Sequence, residues 1–202
     1  VTVGAPVRSA SFSGAQPVGG NEGFWLNVLG DVDQARMAAN AGDEIWYGVL
    51  AAPSGYQRFT FGGYAYIPTD PLSTGAFTRS AASFGLASLG DVRYTQYLVA
   101  HELGHVFGRL HTPGCGAAGV DLLYPGSSGA IFGLGHDVWS WANGDSRGAA
   151  PVRPDETDVM SYCRTLLPWI GPYTHDGLIR WRRVDPVVTR TADRDRPSIA
   201  MP

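Results

Sequence analysis

The segment from His101 to His111 reads HELGHVFGRLH, and it constrains this chain more than any other stretch. His101 and His105 stand four apart, so a helix places both on one face. Two imidazoles at that spacing can grip one zinc ion. Glu102 lies beside the first ligand, where its carboxylate can reach a water on the metal. Gly108 lets the chain leave the helix and turn sharply. That turn returns His111 as a third ligand. Three protein ligands with an open fourth position mark a catalytic zinc site, not a structural one. Zinc lowers the pKa of a bound water to about 7 and polarises a carbonyl. Glu102 is then the group that takes the water's proton and passes it to the leaving amine. Each imidazole should have an outer acceptor that fixes its tautomer, but the sequence does not name it. The competing reading is a helix with satisfied surface histidines. The third histidine and the glycine, both at the required offsets, count against it.

The surroundings read as an α+β domain. Asp31 to Asn40 predicts a short helix capped by Asp31 and stopped near Gly42. Ile45 to Leu50 is apolar, aromatic and β-branched, which predicts a buried strand. Gly63 to Ile67 predicts a second strand ended by Pro68, and Arg79 to Phe84 a third. Thr69 to Gly75 reads as a loop. The strongest helix runs from Val92 to Phe107, with Asp91 as its N-cap and Gly108 as its C-terminal glycine. From Thr112 to Asp155 the chain is rich in Gly, Pro, Ser and Asp and reads as a long functional or metal-stabilised loop. A closing helix is expected from about His175 to Arg183. The organisation is one domain, 1–202, with an upper lobe over about 1–108 and a lower lobe over about 109–192. Residues 193–202 read as a linker.

Composition narrows the function classes. The chain has 202 residues, 44% hydrophobic and 16% charged, which is globular. A net charge of −3 makes a nucleic-acid partner unexpected. No apolar run is long enough to span a bilayer. The basic residues are all Arg, and Gly and Ala are abundant, which reads as GC-rich coding and a bacterial origin. A monomer is the default. Cys115 and Cys163 leave one intramolecular pairing. They flank the motifs, which favours a disulfide and an oxidising compartment over buried free thiols or extra zinc ligands.

The pattern HExxHxxGxxH is the metzincin signature, and this sequence resembles metzincins at each fixed position. Those proteins also carry a methionine turn beneath the zinc, and Asp158 to Cys163, DVMSYC, looks like it, with Met160 as the turn methionine. The resemblance implies a two-lobe catalytic domain. It has a twisted mixed sheet, a central zinc-binding helix, and a loop-rich C-terminal lobe with a closing helix. It implies a secreted zinc endopeptidase acting on protein or peptide. Tyr162, two residues after Met160, matches a tyrosine that in astacins and serralysins reaches the zinc or the developing oxyanion. Cys115 and Cys163 would join the third-ligand loop to the methionine turn. Thr112 and Pro113 follow the third ligand, where astacins have Glu, adamalysins Asp and serralysins Pro. The resemblance is firm over residues 91–183 and only topological over 1–90.

By the same resemblance, Arg79 to Phe84 would be the edge strand that pairs with an extended substrate. Residues after the methionine turn would wall a primed-side pocket: Leu166, Leu167 and Trp169 an apolar one, Arg164 one for an acidic residue. Asp121, Asp137 and Asp145 are candidate calcium ligands, although their spacing matches no EF-hand. His136 and His175 read as ordinary core or surface histidines. Two further classes compete with the peptidase: a zinc-stabilised binding module without catalysis, and a cell-wall amidase.

Overall fold

The computed structural model describes residues 22–41, 44–52, 62–72, 77–85, 92–136, 151–163 and 168–184. Among these the fold is α+β, with three helices, one small mixed sheet and a two-stranded ribbon. The elements are α1 (Glu22–Ala38), β1 (Trp46–Ala51), β2 (Gly63–Ala65), β3 (Ser80–Gly85), α2 (Val92–Val106), β4 (Gly135–His136), β5 (Pro151–Val152) and α3 (Pro172–Val184).

Helix α1 begins well before the expected Asp31, which is therefore an exposed interior position and not a cap. The reason is tertiary. Phe24, Trp25, Val28 and Leu29 recur at helical spacing and bury one stripe against the sheet, an order that the flanking Gly23 and Gly30 do not prevent. The helix ends at Ala38, and the turn after it is capped at Asn40. Asn40 takes φ 52°, and Asn40 N–H and Ala41 N–H return to the carbonyls of Met37 and Arg36. That is a left-handed C-terminal cap with Asn where Gly is commoner.

The sheet runs in the order β1-β3-β2. β3 pairs in parallel with β1, Trp46 to Ser80 through Ala51 to Gly85, and antiparallel with β2, Gly63 to Ser83 and Ala65 to Ala81. This overturns two expectations. The Arg79 to Phe84 segment is the central strand, buried from Ser80 to Phe84, so both of its edges are occupied and it cannot pair with a substrate. The supposedly buried strand, β1, lies at the edge of this sheet and leaves Val49 62% exposed. Strand order is decided by long-range pairing, and the small residues Ser80 to Ser83 suit a strand with a neighbour on each side.

The described parts of Val1–Tyr66 and Thr74–Glu102 form one compact unit, and those of Ile67–Ser73 and Leu103–Pro202 a second. The boundary lies between Glu102 and Leu103, inside the continuous helix α2. In the first unit the core is Phe24, Trp25, Val28, Leu29, Phe84, Tyr94 and Leu98, with Ala82 beneath them. In the second, the described residues between Thr112 and Asp155 are mostly loop, as expected, apart from the β4–β5 ribbon. Helix α3 starts three residues earlier than His175 and brings Trp181 over Gly108 and the Arg109 side chain over Gly177.

Candidate metal centre

Helix α2 places His101 and His105 one turn apart, and both are buried. The helix ends as the sequence requires. Gly108 takes φ +71°, Gly108 N–H returns to His105 O at 2.8 Å, and Arg109 N–H to Gly104 O at 3.0 Å. A side chain at 108 would be strained by that φ and would also collide with the Trp181 ring. The turn brings His111 back, and one ligand atom from each of the three histidines lies within 4.8 Å of the others. His105 Nε2 and His111 Nε2 face each other at 3.0 Å. Two nitrogens on one tetrahedral zinc stand about 3.3 Å apart, so the pair fits a shared ion closely. Among the described residues this is the one group of three His, Cys, Asp or Glu that converges in this way.

The outer partners, silent in the sequence, are now visible. His105 Nδ1 lies 2.6 Å from Arg109 O, and His111 Nδ1 lies 2.6 Å from Ala118 O. A carbonyl accepts only, so both Nδ1 atoms carry the proton and both Nε2 atoms present a lone pair. His101 Nδ1 meets the Tyr97 hydroxyl at 3.5 Å, and the two rings pack edge to face. Burial lowers the His111 pKa, with the Ala118 carbonyl opposing that shift, which favours the neutral imidazole a metal needs. The loop bearing Ala118 is itself pinned to His111: Val120 bridges it, and Asp121 N–H donates to His111 O at 2.8 Å.

Glu102 is 5% exposed, and burial pushes its carboxyl well above the usual range. It packs against Gly63 of β2. A Cβ there would stand 2.6 Å from Glu102 Oε1 and 2.8 Å from its Cγ. Gly104, between the two helical histidines, is needed in the same sense, since a Cβ there would collide with Sδ of Met160. Met160 is fully buried, and its carbonyl accepts from Thr112 N–H at 3.0 Å, tying the residue after the third ligand to the turn. Tyr162 is half-buried and packs its ring 4.4 Å from that of His111.

Cys115 and Cys163 are joined, with Cα atoms 5.1 Å apart across 48 residues, so neither is a free thiol or a zinc ligand. Asp158 is fully buried. Its Oδ1 accepts from Met160 N–H at 2.9 Å and the Thr174 hydroxyl at 3.0 Å, and its Oδ2 from Gly171 N–H at 3.0 Å. It therefore holds the turn to the start of α3. Trp169 is half-buried, with its backbone paired beside Thr157 and Val159. Leu166, Leu167 and Arg164 lie outside the described residues. Asp121 uses one carboxylate oxygen on Leu123 N–H and the other on the Tyr173 hydroxyl; Asp137 and Asp145 lie outside the described residues. His175 is exposed beside Asp176.

No protein-family profile, curated protein or solved structure matches this chain. Tyr97, Gly63, Gly104 and Asp158 were not singled out by the sequence. Tyr97 had a readable signal, four residues before His101 on the same helix face.

Proposed function

We propose that this chain is a secreted, zinc-dependent endopeptidase of the metzincin type. The observation that carries the reading is the convergence of His101, His105 and His111, with two Nδ1 atoms committed to backbone carbonyls and Glu102 next in line on the same helix. A zinc ion held by the three Nε2 atoms would supply Lewis acidity and lower the pKa of a water at its open position. The chain's own groups do the rest. Glu102 takes a proton from the attacking water and returns it to the leaving amine. The raised carboxyl, shielded by burial, matches a group that must hold that proton in passing. Tyr162, beside His111, donates to the developing oxyanion.

The substrate's backbone pairs with β2 in this reading. β2 has one strand neighbour among the described residues, and Glu102 lies against its Gly63. The Cys115–Cys163 bond supports an oxidising, extracellular compartment. No helix among the described residues is long and apolar enough to cross a membrane.

Wild type and Glu102→Ala, purified in parallel, test the reading. Both should bind about one zinc by elemental analysis. Only the wild type should cleave casein or a quenched peptide library, with chelator abolishing cleavage and the variant slower by roughly 10²–10⁴-fold. Zinc in both proteins and cleavage by neither would sink the peptidase.

A further inference from the structure

Two buried hydroxyls lie on the sheet beside Glu102 and take no part in the chemistry above. Ser83, at 0% exposure, stands opposite Gly63 in the antiparallel register. Opposed residues project from the same face, with Cβ positions about 5 Å apart. The Cβ position of Gly63 is 2.6 Å from Glu102 Oε1. Ser83 therefore projects toward the carboxylate, at a distance that one bridging water can span.

Tyr47 reaches the same place from the other side of β3. It pairs with Ala81 in the parallel register, which sets it on the face of Ser83 and diagonal to it. Diagonal neighbours remain within reach of an aromatic side chain. The other positions there are small: Ala65 and Ala81 flank the pair. Both hydroxyl oxygens are buried, and neither has a hydrogen bond of good geometry among the described residues. Burial pushes the Tyr47 phenol far up; Ser83 opposes the shift and the Glu102 charge adds to it, which places all three groups in one electrostatic neighbourhood. A buried hydroxyl costs free energy unless something satisfies it; Ser83 is the neighbour of the Tyr47 hydroxyl, and Glu102 is the charged acceptor on the same face.

We propose that Tyr47 and Ser83 are positioning residues for Glu102: their hydroxyls, aligned on one sheet face behind Gly63, hold one carboxylate oxygen so that the other is presented to the water. The proposal rests on the reading of Glu102 as general base. The hydroxyls touch no substrate; they act through the carboxylate.

The test uses the full chain loaded with zinc, as Tyr47→Phe, Ser83→Ala, Glu102→Gln and the Tyr47→Phe/Glu102→Gln double variant. Thermal unfolding of the last cycle needs no substrate. The shifts in Tm should be non-additive, because the Tyr47 hydroxyl and the Glu102 charge are the two ends of one interaction. With a quenched peptide, Tyr47→Phe and Ser83→Ala should each lose about 10- to 100-fold in kcat, with KM and zinc content unchanged. Additive Tm shifts, or a kcat equal to wild type in both hydroxyl variants, overturn the positioning role. A wild type that cleaves nothing would refute the peptidase reading, and the unfolding cycle would still decide whether the Tyr47 hydroxyl holds Glu102.

Discussion

Around α1 and the three-stranded sheet, order comes from apolar burial. Trp25, Phe84, Leu29 and Val28 are all below 3% exposed, with the Trp25 ring tilted 4.8 Å from that of Phe84 and edge to face with that of Phe24. Beside that core, Arg36 pairs with Asp33 at 3.0 Å, and the Ser80 hydroxyl donates to the same carboxylate oxygen. Past Glu102 the chain is organised differently. Its buried side chains mix Ile131, Met160 and Val106 with Thr112 and Asp158, while Leu122, Leu123 and Leu134 are more than two-thirds exposed. Shape there is kept by a disulfide, a hub carboxylate, a left-handed glycine at 108 and backbone bonds to ligand histidines. A loop-rich segment buries too little apolar surface to offset its conformational entropy, so it depends on specific ties. The cost of changing a residue should differ accordingly in kind between the two regions.

Trp25→Ala should have the largest effect. It deletes a fully buried ring from the aromatic cluster and should cost about 3–5 kcal/mol in unfolding free energy by denaturant titration. The zinc affinity of the surviving folded fraction should stay near wild type, because none of the three histidines belongs to that cluster and only Tyr97, the neighbour of His101, packs against it. A selective loss of zinc without a loss of stability would contradict the comparison.

Cys115→Ser with Cys163→Ser should show the reverse pattern. Opening a loop of 48 residues costs about 4 kcal/mol in the chain-entropy model, with native-state relaxation reducing that figure. The local consequence is more telling. The bond ties the loop whose Ala118 carbonyl orients His111 to the turn that carries Met160 and Tyr162. Zinc affinity, read by competition with a chelator, should fall about 10- to 100-fold, the range for losing an outer-shell support. An unchanged affinity would mean that the backbone bonds from Asp121 and Thr112 suffice to hold His111.

The same contrast explains what could be read from the sequence. The three-histidine cluster was legible because its geometry is local: a four-residue spacing on one helix, then a glycine and one turn. The disulfide was legible through the cysteines' positions beside the motifs. The start of α1 was not, since Gly23 and Gly30 mask a helix that only the buried stripe of Phe24, Trp25, Val28 and Leu29 explains. The central place of β3 was not, because its residues say that it is buried and nothing about which strands flank it. The acceptors that fix two imidazoles are backbone carbonyls of Arg109 and Ala118, and every residue carries one, so no side-chain signal marks them.

The smallest expected effect, and the sharpest in form, concerns Asp158. Burial pushes its carboxyl up, while donors from Met160, Thr174, Gly171 and Tyr124 pull it down less strongly. With the folded pKa above the unfolded one, the folded state binds more protons between the two values, so stability falls as pH rises through that window. The contribution is most favourable below the ordinary carboxylate range and is lost once the folded group ionises. Asp158→Asn should remove this dependence, so the difference in Tm between wild type and variant should change across the acid range and flatten near neutrality. At neutral pH the variant should still be less stable by about 1–3 kcal/mol, because Oδ2 accepts from Gly171 N–H and an amide nitrogen there would set donor against donor. Thermal melts of both proteins in one buffer series isolate the term, since the histidines and Glu102 titrate alike in each. A difference that does not vary with pH would show that Asp158 keeps its ordinary pKa and that the donors fully offset its burial. In that case the loop-rich region tolerates a buried charge for the same reason that it tolerates exposed leucines: its order comes from directed bonds.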